Sequence, residues 1–311
     1  MSLPRTALVA LMLGIVPGSC IAAPVASTPA NSPAAATPVK AARPTSLTPA
    51  PGVIGIFRLD RAPVQGGYAL GWVPPGTVRL VIDGHDVRFA ADRRFSIGFG
   101  RDFQAYATIT AFRADGSAVT DKIAVAPRQW RIENLPTLPR FSQPSAEFQA
   151  RRPGELAQIN AARTIASDTQ GWRQTFRWPA FGRVSGVFGS QRVYAGEPGA
   201  PHNGVDVAGG AGAPVYAPAD GVVILAAASP FTLEGNLLMI DHGMGLNSAF
   251  LHLSRIDVKL GDVVHQGDRL GAIGMTGRAT GPHLHWGMRW NDERIDPATL
   301  VGPMPAAPAA K

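Results

Sequence analysis

Between residues 196 and 212 the chain carries Gly196, Pro198, Gly199, Pro201, Gly204, Gly209, Gly210 and Gly212. Glycine and proline at that density will not support a helix. Side chains that act together here must be presented by strands and their adjoining loops. In a strand, residues two or four apart point to the same face. That spacing projects His202 with Asp206 in His202-Asn203-Gly204-Val205-Asp206, and His283 with His285 in His283-Leu284-His285.

Imidazole nitrogen and carboxylate oxygen suit Zn²⁺, and a catalytic zinc site keeps three protein ligands plus a water. A bound zinc brings the pKa of such a water from about 15.7 to about 7. The two segments together supply three possible ligands and a spare imidazole, so hydrolysis is the first chemistry to suspect. Either motif alone is a weak signal. Both within one β-rich stretch, residues 179–302, are a strong one.

Further segments follow in order: Pro214-Val215-Tyr216-Ala217-Pro218-Ala219-Asp220-Gly221, then Leu251-His252-Leu253-Ser254, Thr276-Gly277, and Gly281-Pro282-His283-Leu284-His285-Trp286. With His202–Asp206 they resemble the lysostaphin/LytM-type zinc metallopeptidases across residues 180 to 300. The resemblance implies one Zn²⁺ per chain, held by His202, Asp206 and His285. It also implies two catalytic, non-ligand histidines, His252 and His283, that act on the water and on the tetrahedral intermediate. Its substrates are peptide bonds in the cross-links or stems of bacterial peptidoglycan. Phe250 stands where many members carry tyrosine, two residues before the histidine, which removes a phenol hydroxyl but no ligand.

The chemistry also follows from the residues. Peptide hydrolysis needs a nucleophile, a proton carrier and a group to hold the oxyanion. An imidazole near its unperturbed pKa of about 6.5 suits proton transfer at neutral pH. We expect His283 as general base and His252 as oxyanion stabiliser, with exchange of the two roles left open. A lone histidine is more often structural or exposed than catalytic, and that reading applies to His85, His242 and His265.

Residues 1–22 combine Arg5, an apolar run from Ala7 to Val16 and small residues at Ala22 and Ala23. This pattern is a secretory signal peptide, too short for a convincing membrane span. It implies a periplasmic or secreted protein. Cys20 is the only cysteine, and Pro17 three residues before it makes a poor lipoprotein signal. Residues 23–51 are almost entirely Ala, Pro, Ser and Thr and read as a disordered tether. Residues 303–311 read as a disordered tail.

The expected fold is mostly β: a small antiparallel sandwich-like domain (52–136), a helical connector (137–178) and a LytM-type, barrel-sandwich-like peptidase domain (179–302). In the first, the runs 78–82 and 87–89 flank the turn Asp83-Gly84, and 107–112 and 119–125 flank Ala114-Asp115-Gly116-Ser117. In the connector, Pro153 serves as a helix start, and Leu156, Ile159, Ala162 and Ala166 recur at helical spacing before Gly171. Trp172, Phe176 and Trp178 read as a packing surface.

Lys and Arg number 29 against 22 Asp and Glu, a net charge of +7. An exported basic protein suits the anionic cell wall. No nucleic-acid reader motif is present, so nucleic acid is not an expected partner; a cell-wall or divisome protein is a possible one. Val215 to Val223, with Gly261-Asp262 and Gly267-Asp268, also resembles a lipoyl/biotinyl carrier. Lys259, the only lysine between those halves, lacks the context for a prosthetic group. A second alternative is a LytM-like activator of another wall hydrolase, but such domains have lost ligands and here the set is complete.

Overall fold

Two hairpins set the first half of the fold. Thr77–Ile82 pairs antiparallel with His85–Val87 through Asp83 and Gly84, both at positive φ. That is the conformation a two-residue type I′ turn requires, and Asp-Gly is a preferred sequence for it. Tyr106–Arg113 pairs with Ala118–Ala124 and joins the same four-stranded sheet through Thr77–Ile82. A three-stranded sheet of Arg58–Leu59, Tyr68–Trp72 and Arg94–Gly98 contributes Leu59, Tyr68, Phe95 and Ile97 to the core. The computed structural model describes residues 56–138 and 144–306, all within one compact unit, Thr48–Lys311. The expected signal peptide, Cys20 and the tether lie outside the described residues, as do residues 307–311 of the expected tail.

The helix runs Ala146–Arg163 and begins one turn and more before Pro153. Ser145 is its N-cap, its side chain accepting from the Phe148 amide at 3.1 Å. A serine that satisfies an otherwise orphaned amide outcompetes proline as a start signal. Pro153 therefore sits inside, where it forgoes one backbone hydrogen bond. Ile159 and Ala162 are buried against Ile224, Leu225, Phe231, Leu237 and Met239, whereas Leu156 is exposed and Ala166 lies beyond the helix.

The second half is a ten-stranded, mostly antiparallel sheet. Its centre is Leu246–Ile256, paired with Asn236–Asp241 on one side and Leu284–Trp290 on the other. Val205–Ala208 lies on the far edge of Leu284–Trp290. The fold is mostly β with a single long helix among the described residues, and no helix there is long and apolar enough to cross a membrane.

The two halves share a core. Trp290 Nε1 donates to Ser96 Oγ at 2.9 Å, and Arg128 pairs with buried Asp296 at 2.9 Å. Ile132–Leu135 even adds a parallel strand to Gln191–Tyr194. Trp172 and Phe176 are buried, and Trp178 packs edge-on to Trp286 at 6.1 Å, so the aromatic group does pack.

His242 is fully buried within this core. Its Nδ1 donates to the Asp220 carbonyl at 2.8 Å, which leaves Nε2 to accept from Ser248 Oγ at 2.8 Å. Ser248 in turn accepts from Trp286 Nε1 at 3.2 Å. Burial pushes the His242 pKa down from 6.5 to about 4. A depressed base stabilises the fold above its unfolded pKa, and that stability is lost as pH falls from 6.5 towards 4. His242→Gln should therefore be less stable than wild type at pH 7.5. The gap should narrow by on the order of 3 kcal/mol by pH 4, at about 1.4 kcal/mol per unit. Denaturant titrations across that range check this; a constant gap would exclude a neutral buried imidazole.

Candidate metal centre and active site

Register brings the first two groups together. Asp206 and His285 are directly opposed on adjacent antiparallel strands, and Leu251 opposes His285 on the other side. Opposed residues on one face hold their Cβ atoms about 4.5–5.5 Å apart. The observed result is Asp206 Oδ1 at 2.9 Å from His285 Nδ1. His202 comes from the loop before the strand rather than from the strand itself. Its backbone is tied to the 187–190 turn by His202 N to Ser190 O and Gly189 N to His202 O, both 2.8 Å. Its Nε2 lies 3.1 Å from Asp206 Oδ1 and 3.1 Å from His285 Nδ1.

These three atoms form a near-equilateral triangle. Donors held about 2.0–2.1 Å from one tetrahedral centre stand roughly 3.3 Å apart. The donor set and its spacing fit a zinc ion, with one donor atom from each of the three residues within 4.8 Å of the others. His202 Nδ1 donates to the Val187 carbonyl at 3.1 Å, which frees Nε2 as the lone-pair atom. Such an outer hydrogen bond fixes tautomer and ring orientation for metal ligation.

Electrostatics favour an ionised carboxylate among imidazoles. Burial opposes Asp206 ionisation, but its contacts with His202 and His285 outweigh that and hold it well below the usual carboxylate range. Burial also works to lower the His202 pKa, yet Asp206 raises it on balance. The pKa of His285 is lowered by burial despite Asp206.

His252 and His283 stand beside the trio. Their ring centroids are 4.8 Å apart, and His283 Nε2 lies 3.8 Å from Asp206 Oδ1. His252 has φ +64°, left-handed backbone that a bulky residue rarely adopts. It sits in a strand whose register shifts against both neighbours at this point. A bulge of this kind re-aims a side chain. The His252 amide donates to the Glu234 carbonyl at 2.8 Å, and Glu234 is clamped by Arg152 of the helix at 2.6 and 2.8 Å. His252 Nδ1 donates to the Thr276 carbonyl and His283 Nδ1 to the Gly281 carbonyl, each at 2.8 Å. Both rings thus turn Nε2 away from the backbone, and both can take a proton there. The structure gives the two rings the same tautomer and so the capacity for either catalytic role. Burial lowers the His252 pKa to about 4.

The five site residues singled out from the sequence, four histidines and one aspartate, thus converge, while His85 and His265 are exposed and His242 is buried in the core. Sequence reasoning did not single out Arg152, Glu234, Arg289 or Arg294. Arg289 had a legible signal: it follows His285 by four residues on one strand and shares its face.

The model of peptidase family M23 matches residues 200–297. A crystal structure from Pseudomonas aeruginosa assigned to peptidase M23 is 32% identical, with a TM-score of 0.61. The match covers 78% of this chain and 96% of that one. The chain belongs to peptidase family M23. The peptidoglycan DD-endopeptidase ShyA of Vibrio cholerae is 45% identical over 105 residues, 33% of this chain and 24% of that protein. The DD-carboxypeptidase/endopeptidase Mpg of Neisseria meningitidis is 38% identical over 104 residues, again 33% and 24%. The chain spans about a quarter of the length of these curated relatives.

Gly204 packs against the M23 site. A Cβ there would meet the Trp286 carbonyl and stand 2.7 Å from His285 Nε2. Gly204→Ala should displace the His285 ring and weaken zinc retention roughly tenfold or more. Competition with a chromogenic chelator measures this; unchanged affinity would show that the ring is not part of the metal centre.

Proposed function

We propose that the protein is a zinc metalloendopeptidase that hydrolyses peptide bonds in bacterial peptidoglycan. The observation that carries this reading is the convergence of His202, Asp206 and His285 donor atoms beside two further imidazoles. Membership of a peptidase family and similarity to peptidoglycan endopeptidases support the substrate class. The signal-like start supports action in the periplasm or outside the cell.

His202, Asp206 and His285 would hold the zinc. When bound, zinc polarises a substrate carbonyl and lowers the pKa of a water. The chain's own residues do the rest. Asp206, kept ionised by its imidazole neighbours, contributes the negative charge of the ligand set. His283 Nε2, beside the donor triangle, is positioned to take a proton from the attacking water and return it to the departing amine. His252 flanks it, with its Nδ1 proton held by the Thr276 carbonyl. To hydrogen-bond the carbonyl oxygen as charge develops, it would have to take up a second proton at Nε2, against the burial that lowers its pKa. A module that only binds and activates another hydrolase would need none of these five groups together.

His202→Ala, Asp206→Ala and His285→Ala should lose zinc and activity together; normal zinc content in all three variants would remove the ligand assignment. His252→Ala or His283→Ala should retain zinc and lose roughly 10²–10⁴-fold in turnover. Mass spectrometry of cross-linked muropeptide dimers, with and without chelator, reads the activity. New monomers that vanish with chelator support the proposal. Intact dimers after incubation with zinc-loaded protein would overturn it.

A further inference from the structure

A small cavity of about 100 Å³ opens beside His285, and Asn203, Arg163, Glu234, Arg289 and Arg294 contribute to its lining. The space is large enough to admit a carboxylate group. A larger cavity of about 450 Å³ next to His202 shares Asn203, Arg289 and Arg294. That one is of mixed charge, lined also by Arg101, Asp102, Asp292 and Glu293. The two cavities therefore meet along the arginines.

The three arginines come from different elements. Arg163 ends the helix, Arg289 shares the His285 strand, and Arg294 stands on the next strand directly opposite Arg289. Like charges directly opposed across a strand pair are destabilising. The cavity lining offers them little counter-charge. Glu234, the one acid among the described residues lining it, is already engaged bidentately by Arg152. Arg289 Nη2 donates to the Asp292 backbone carbonyl at 2.8 Å and reaches the Asp292 carboxylate at 3.3 Å, both through that one terminal nitrogen. Arg163 Nε and Arg289 Nε are buried with no hydrogen-bond partner. Burial, then the charges of Arg289 and Arg294, push the Arg163 pKa down to about 10. Burial and Arg294 likewise lower that of Arg289. Crowded cations with unsatisfied donors are poor fold stabilisers, and guanidinium forks match a planar carboxylate in both charge and geometry.

We infer that Arg163, Arg289 and Arg294 form a subsite adjoining His285 that binds a free carboxylate of the peptide substrate. The inference rests on the peptidase reading for the identity of that substrate. It makes the protein selective for peptides with an unamidated acid close to the bond that is cut. The acid can be the terminal α-carboxylate or a side-chain carboxylate of the stem peptide.

The test uses the full zinc-loaded chain and a muropeptide dimer made uncleavable by N-methylation of the cross-link amide. Three forms are compared by calorimetric titration: all acids free, terminal carboxylate amidated, and side-chain carboxylate amidated. One of the two amidations should weaken wild-type binding at least tenfold, which identifies the acid. In Arg163→Gln and Arg294→Gln that discrimination should fall below threefold, with melting temperatures unchanged or raised because a crowded cation has gone. Equal binding of all three forms by the wild type would overturn the inference, and this arm needs no variant to fold. Discrimination that persists undiminished in both variants would overturn it too. The cleavable dimers are then assayed separately. Discrimination without turnover would refute the peptidase reading and leave the subsite standing; turnover without discrimination would do the reverse.

Discussion

The site depends on one strand register. Asp206 faces His285, and His285 faces Leu251, across three adjacent antiparallel strands. Side-chain direction alternates with a period of two, so a one-residue slip would turn Asp206 or His285 to the opposite face. Hydrophobic burial holds the register. Val205, Val207, Leu284, Trp286, Met288, Phe250 and Leu253 are all buried in the same core. The polar cluster is thus positioned by apolar neighbours that alternate with it along the same strands.

Around this row, the irregular parts of the fold aim the remaining groups. The bulge at His252 turns its ring towards His283, and the Arg152–Glu234 pair carries the helix to the backbone that holds the bulge. A non-glycine residue at φ +64° persists only where its surroundings fix it. Here the fixing groups are the Glu234 carbonyl on the His252 amide and the Thr276 carbonyl on its ring.

Much of this was legible because the chemistry is written in short spacings. His202–Asp206 and His283–His285 could be read as convergent from strand periodicity and the exclusion of a helix. The Asp83-Gly84 hairpin followed from its turn chemistry. What the sequence hid was non-local or conformational. His202 lies on a loop, and only the fold shows that the 187–190 turn holds it. Pro153 looked like a helix start because local rules favour proline there, but Ser145 capped the helix earlier. The arginine cluster joins residues 163, 289 and 294, which no periodicity links. A lone arginine in a basic chain reads as solubility until its neighbours are known.

The parallel pairing of Ile132–Leu135 with Gln191–Tyr194 bears on what the smallest workable enzyme would be. The stretch matched by the family model begins at residue 200, beyond this pairing. The Gln191 amide bonds to the Arg131 carbonyl, and Arg101 reaches the Gly189 carbonyl at 2.9 Å, on the very turn that holds His202. A chain trimmed to its peptidase segment would leave Gln191–Tyr194 with a bare edge and that turn without its outer support. An unpaired edge invites association with other chains. The N-terminal sheets are, in mechanical terms, the abutment against which His202 is braced.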